Sequence, residues 1–171
     1  MRSPRDEQGL ASDEELHRFI AQHYGRQVVA LQLICGSRAL AEDAIQEALA
    51  CAIERTQRGE RINSLERWVA VASRNLARSW VRRLGAERRA NERYGSRLPV
   101  QAIDGGSTAS DRQALLSAVR ALQPAQRQAV ALYYFAHLSV SEVAAVMNRH
   151  PEAVKGLLHR ARLTLGRALG I

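Results

Sequence analysis

Residues 139–169 read SVSEVAAVMNRHPEAVKGLLHRARLTLGRAL, and their local chemistry decides the fold class. Ser139 followed three residues later by Glu142 is a capping box, in which hydroxyl and carboxylate satisfy the orphan backbone donors of a starting helix. Val140, Val143, Ala144 and Met147 recur at helical spacing and form one buried face until Asn148, Arg149 and His150 interrupt it. Pro151 suits the first position of a second helix, where its missing N–H costs nothing. Val154, Leu157, Leu158, Ala161 and Leu165 then give a second apolar stripe. At about 100° per residue, Glu152, Lys155, His159 and Arg162 fall on the opposite side, with Gly156 and Arg160 beside them. Two helices, a tight turn and a cationic outer face match the geometry that sets a recognition helix into the major groove of DNA. A plain helical hairpin with a solvated face has the same periodicity.

Charge is distributed unevenly around this stretch. The formal net charge of +8 comes from 24 Arg and a single Lys against 17 acids. Residues 1–54 hold five Arg against nine acids, residues 55–97 twelve Arg against four, and residues 123–171 six bases against two acids. The front therefore suits a protein partner, and the middle and back suit phosphate. Arg pairs bidentately with phosphate and stacks on bases better than Lys does, so the near-exclusive use of Arg fits nucleic-acid contact; a G+C-rich genome would also favour Arg.

Residues 1–12 are polar and read as a mobile arm. Ser12 or Asp13 can cap a helix to about Cys35, with Leu16, Phe19, Ile20, Tyr24, Val28 and Leu31 inward. Gly36 and Ser37 end it. A second helix, about Ala39 to Arg55, buries Ala41, Ala44, Ile45, Ala48, Leu49 and Ala52 and turns Glu42, Asp43, Gln46 and Glu47 outward. Taken alone, that acidic patch is explained by the preference for carboxylates near a helix N-terminus. After the loop TQRGERIN, a third helix from about Leu65 to Leu84 places Leu65, Trp68, Val69, Ala72, Leu76 and Leu84 on a core stripe and Arg67, Arg74, Arg78, Arg82 and Arg83 on other faces. Trp80 could stack on an unpaired base or pack into the core. Periodicity fades between Gly85 and Ser110, where Pro99, Gly105 and Gly106 mark a linker that lets the halves move. Helices from Asp111 to about Leu122 and from Pro124 to Phe135 lead into the opening stretch. The expected fold is all-α: two small bundles, residues 13–85 and 111–171, joined by a flexible linker over 86–110.

At this point the chain resembles an extracytoplasmic-function (ECF) sigma factor, the compact two-domain class of bacterial transcription initiation factors. AEDAIQEAL resembles the family's region-two helix, SLERWVAVASRNLARSWVRR its promoter-melting helix, and LQPAQRQAVALYYFAHLSVSEVAAVMNRHPEAVKGLLHRARLTL its region four. The three matches stand in the family's order across nearly the whole chain. The resemblance implies that Asp43, Gln46 and Glu47 dock on the beta-prime clamp helices of core RNA polymerase, with region four on the beta flap. It places Asn75, Ser79 and Arg78, with Asn63 and Arg61 in the loop, on the single-stranded minus-10 element. It places Lys155, Gly156, His159 and Arg160, with Arg149 and Arg162, on the minus-35 element of promoter DNA. An anti-sigma factor is an expected regulator, and a monomer is expected in the active complex. Leu157, Glu152–Ala153, Tyr133, Leu49 and Ile53 depart from the family's usual residues.

Other classes are less well supported. A free-standing helix-turn-helix regulator would leave the front bundle without a role. His17, His23, His137, His150 and His159 are scattered, and no metal-ligand spacing or glycine-rich phosphate loop occurs, so no catalytic site, cofactor or metal is expected. Cys35 and Cys51 read as buried thiols, with a disulfide between them left open. No window approaches the ~18 apolar residues of a membrane span, and a cytoplasmic protein without membrane insertion is expected.

Overall fold

The computed structural model describes residues 13–92 and 110–170, and every regular element among them is helical. The expected arm, 1–12, and residues 93–109 of the expected linker lie outside the described residues.

The first helix is interrupted. Helix α1 (Asp13–Phe19), a π turn (Ile20–Tyr24) and α2 (Gly25–Cys35) run on without leaving helical dihedrals. The π turn's extra residue advances the apolar stripe by one position. Phe19 is buried, Tyr24 and Val28 continue the inner face, and Ile20 is turned out to 53% exposure, correcting its expected inward placement. Gly36, at φ 84°, closes α2 with its N–H on the Gln32 carbonyl at 2.8 Å, a conformation that glycine adopts without strain. Ser37 caps α3 (Arg38–Gln57) by accepting the Leu40 N–H at 3.3 Å.

Alanines at 41, 44, 48 and 52, all fully buried, let α3 lie close against α2 and α4 (Leu65–Glu92). Ser64 caps α4 through the Arg67 N–H at 3.3 Å. The helix continues through the expected boundary near Leu84 to Glu92, a length of about 42 Å. Leu84 is 45% exposed, a second correction, because the front core ends at Trp80 one turn earlier. Trp80 packs against that core.

The back bundle comprises α5 (Ser110–Ala121), α6 (Pro124–Val130), a second π turn (Ala131–Phe135), α7 (Val140–Met147) and α8 (Pro151–Leu169). Val119, Leu122, Ala129, Val143, Val154, Leu158 and Ala161 form its interior. The two bundles are packed together. Ala30 and Leu33 of α2 and Ala70 of α4 share one buried cluster with Leu132 of the second π turn and Ala136, the residue that follows it. Helix α2 is thus covered on one side by α3 and α4 and on the other by the π turn and α6.

The capping box is formed as the sequence predicts. Ser139 Oγ accepts the Glu142 N–H at 3.3 Å, and Glu142 Oε2 accepts the Ser139 N–H at 2.8 Å. The Ser139 N–H holds the Glu142 carboxyl below its ordinary 4.5, aided by the Ser139 hydroxyl and the Arg67 charge and opposed by burial. A depressed carboxylate contributes stability above its unfolded value and loses it as pH falls through the lower folded value. Ser139→Ala should cost about 1 kcal/mol and lower the melting temperature by roughly 3 °C. The stability gap between wild type and Glu142→Gln, measured by thermal unfolding, should close as pH drops well below 4.5; a gap that persists in acid would contradict the assignment.

Candidate nucleic-acid interface

The outer face of α8 is built by the turn before it. Asn148, in the left-handed region at φ 52°, ends α7, and the Arg149 N–H reaches back to the Ala144 carbonyl at 2.9 Å. His150 caps α8 through Nδ1, which accepts the Glu152 N–H at 3.4 Å, and Pro151 takes the first helical position. Val154, Leu157, Leu158 and Ala161 are buried against the other helices, which fixes the rotation of α8. Lys155, His159, Arg160, Arg162 and Arg149 are consequently exposed. Gly156 is half-buried beneath Arg160, whose guanidinium would lie 3.5 Å from a Cβ added at that glycine. The side chain covering Gly156 is flexible, so the backbone there is approachable once Arg160 swings out. Leu157, where the family often has Arg, is a core residue here at 7% exposure. Lys155 is not free: its ammonium donates to Glu152 at 2.7 Å, and this contact holds the Glu152 carboxyl below its ordinary range.

On α4 the expected minus-10 residues separate into two places. Asn75 and Ser79 lie one turn apart, Asn75 exposed and Ser79 half-buried, with exposed Arg78 beside them. Asn63 and Arg61 are exposed in the loop before α4, and Asn63 lines a different depression, near Phe19 and His23. From the start of α4 to Asn75 is about 15 Å along the axis, so the two groups are not brought together. Asp43, Gln46 and Glu47 form an exposed acidic strip on α3 with no ion pair among the described residues; Glu42 beside them is paired with Arg38 at 2.8 Å.

Arg74 corrects the expected row of outward arginines. It is 8% exposed and sits at the junction of the bundles. One guanidinium nitrogen donates to Asn75 Oδ1 at 3.1 Å. With its amide oxygen turned inward, Gln128 of α6 accepts from Arg74 Nε at 2.5 Å and from a terminal nitrogen at 3.0 Å. Burial first, and the charge of Arg78 second, push the Arg74 guanidinium below its ordinary range. Sequence periodicity gave no sign of this contact, although Ala70, Ser73 and Ala77 form a second small-residue stripe on the same helix.

Cys35 and Cys51 are both free thiols, half-buried, and burial pushes the Cys35 thiol up. No helix among the described residues is long and apolar enough to cross a membrane, and no group of three His, Cys, Asp or Glu among them could hold a metal.

Two family models match the chain, sigma-70 region 2 over residues 20–87 and sigma-70 region 4 over residues 112–165. The ECF RNA polymerase sigma factor BldN of Streptomyces coelicolor is 32% identical over 143 residues, 78% of this chain and 52% of that protein. The chain belongs to the ECF sigma factors of the sigma-70 family. The RNA polymerase sigma-E factor of Streptomyces antibioticus is 29% identical over 130 residues, 71% of this chain and 66% of that one. This sigma-family chain therefore matches about half to two thirds of the length of these relatives. A solved structure of the sigma factor RpoE with the anti-sigma factor NepR from Bartonella quintana superposes with a TM-score of 0.73 at 24% identity, over 93% of this chain and 98% of that one. That likeness is one of fold.

Removing the acceptor at the bundle junction leaves a buried guanidinium without its partner. Gln128→Leu, which keeps the side chain's bulk, should destabilise the chain by about 2 kcal/mol in urea unfolding, while Gln126→Leu should cost far less. Equal effects would remove the Arg74–Gln128 contact from the junction.

Proposed function

We propose that this ECF sigma factor binds core RNA polymerase, directs it to a two-part promoter and assists melting of the DNA. The supporting observation is a capped helix-turn-helix that exposes Lys155, His159 and Arg160, in one chain with the bundle matched by sigma-70 region 2. Binding energy is the whole of its contribution; phosphodiester chemistry belongs to the polymerase. Asp43, Gln46 and Glu47 meet the beta-prime clamp helices, and the back bundle meets the beta flap. Asn75, with Ser79 and Arg78, receives an unpaired minus-10 base, since a flipped base is read through its polar edge beside a cationic surface. Asn63 and Arg61 contact the strand separately, from the loop before α4. On α8, Lys155 and Arg160 address guanine acceptors or phosphates of the minus-35 element, with His159, Arg162 and Arg149 flanking and Gly156 allowing close approach. One copy holds both reading surfaces, so a monomer suffices, acting in the cytoplasm where its polymerase is. An anti-sigma factor that covers these surfaces is the expected regulator on the resemblance to the class.

The packed arrangement is the resting form in this reading. Elements centred about 25 base pairs apart are separated by roughly 85 Å of duplex, whereas a compact chain of this length is roughly 40 Å across. The bundles must separate for both elements to be read, and polymerase binding supplies the free energy.

The direct test is retention of promoter-length duplex by the purified chain with and without core polymerase. Tight core binding and polymerase-dependent retention are expected; specific DNA binding without polymerase, and none to core, would make it an independent helix-turn-helix regulator. Lys155→Ala with Arg160→Ala should weaken promoter recognition at least tenfold, the scale of one lost bidentate contact, and spare core binding. Asp43→Ala with Glu47→Ala should do the reverse. Asn75→Ala should bind core normally and lose discrimination at the minus-10 element; unchanged promoter preference would clear Asn75 of that role. Glu152→Gln releases Lys155, so holoenzyme affinity for the minus-35 element should rise and its salt dependence steepen by about one unit of log–log slope.

A further inference from the structure

Along the junction of the bundles runs one half-open cleft of about 350 Å³. Arg74, Arg78 and Arg82 of α4 line it from the front, and Arg127 of α6 and Arg149 of the turn line it from the back. No Asp or Glu is in its walls. None of the five guanidinium groups is in an ion pair among the described residues, whereas Arg18, Arg38, Arg55 and Arg58 each face a glutamate. Gln128, Asn75 and the Arg120 carbonyl, which accepts from Arg127 at 2.8 Å, satisfy hydrogen bonds and leave the charge uncompensated. Like charges converging on a partly desolvated space oppose the packing that brings them together unless an anion joins them.

The rest of the cleft is apolar. Ile34, Val81, Pro124 and Met147 make a wall beside the arginines, and Val81 is 40% exposed. Guanidinium forks bind phosphate oxygens bidentately, and an apolar wall accepts the face of a ring. The volume lies at the lower end of the range for small-molecule sites. A duplex backbone presents its phosphates beside sugar edges, with the base faces stacked inside, and would offer this wall no ring.

We propose that the junction cleft is a binding site for a nucleoside polyphosphate, its phosphates on arginines of both bundles and its base against the apolar wall. Such a ligand joins α4 to α6 and favours the packed arrangement; its effect on promoter binding rests on the reading that the bundles separate.

Calorimetry on the full chain with ATP as probe tests the site without polymerase or promoter, so its failure and that of the transcription reading are distinguishable. ATP should bind one per chain, more tightly than either tripolyphosphate or adenosine alone, and should raise the melting temperature. Arg82→Ala and Arg127→Ala should each weaken it about tenfold, the effect of losing one charge-assisted hydrogen bond. Arg18→Ala with Arg167→Ala, outside the cleft, removes as much charge as the pair and should leave ATP binding within about twofold. Absence of ATP binding, or equal loss when Arg82→Ala is combined with Arg127→Ala and when Arg18→Ala is combined with Arg167→Ala, would overturn the site. Tripolyphosphate binding as tightly as ATP would overturn its nucleoside part. Thermal unfolding of the unliganded variants separates loss of binding from loss of fold.

Discussion

Helix α2 is the element on which both halves depend. Its sequence, GRQVVALQLIC, buries Gln27, Val28, Ala30, Leu31, Gln32 and Leu33, residues that point to several sides of the helix. A helix whose buried residues point to several sides must be covered on several sides. Phe19, Val28 and Leu31 belong to the front core, and Ala30 and Leu33 belong to the back one. The placement of α4 follows from this sharing: Val69 and Ala77 face the front core, Ala70 the back cluster, and Arg74 is carried into the seam. The exposed faces of α3 and α8 are what this packing leaves uncovered.

The helix-turn-helix was legible because its determinants are local. Ser139, Glu142, Asn148 and Pro151 act on backbone groups within a few residues of themselves, and the stripes of α7 and α8 face a single core. The acidic strip of α3 was legible for the same reason, because it follows from the rotation set by an apolar stripe. What each surface binds does not follow from rotation, and there the family resemblance supplied the assignment.

Most of what sequence periodicity missed comes from contact between residues distant in the chain. A helix wheel gives α2 one inner face, and Ala30 and Leu33 are buried because another bundle lies on them. Arg74 resembles its neighbours Arg78 and Arg82 in sequence, and the approach of α2 and of Gln128 on α6 distinguishes it. Ile20 was misplaced for a different reason, the extra residue of a π turn, which shifts register without changing composition. The arginine cleft likewise exists only where α4 meets α6 and the turn after α7.

In the proposed function, one compact chain carries two DNA-reading surfaces that must part to work. The most direct measurement is the distance between labels at Gln57 and Ala168, one exposed site on each bundle, in a Cys35→Ser, Cys51→Ser background. A single short distance is predicted for the free chain, lengthening by tens of ångströms when core polymerase and promoter are added, as roughly 85 Å between the two elements requires. A distance that stays short in the polymerase–promoter complex would contradict the account.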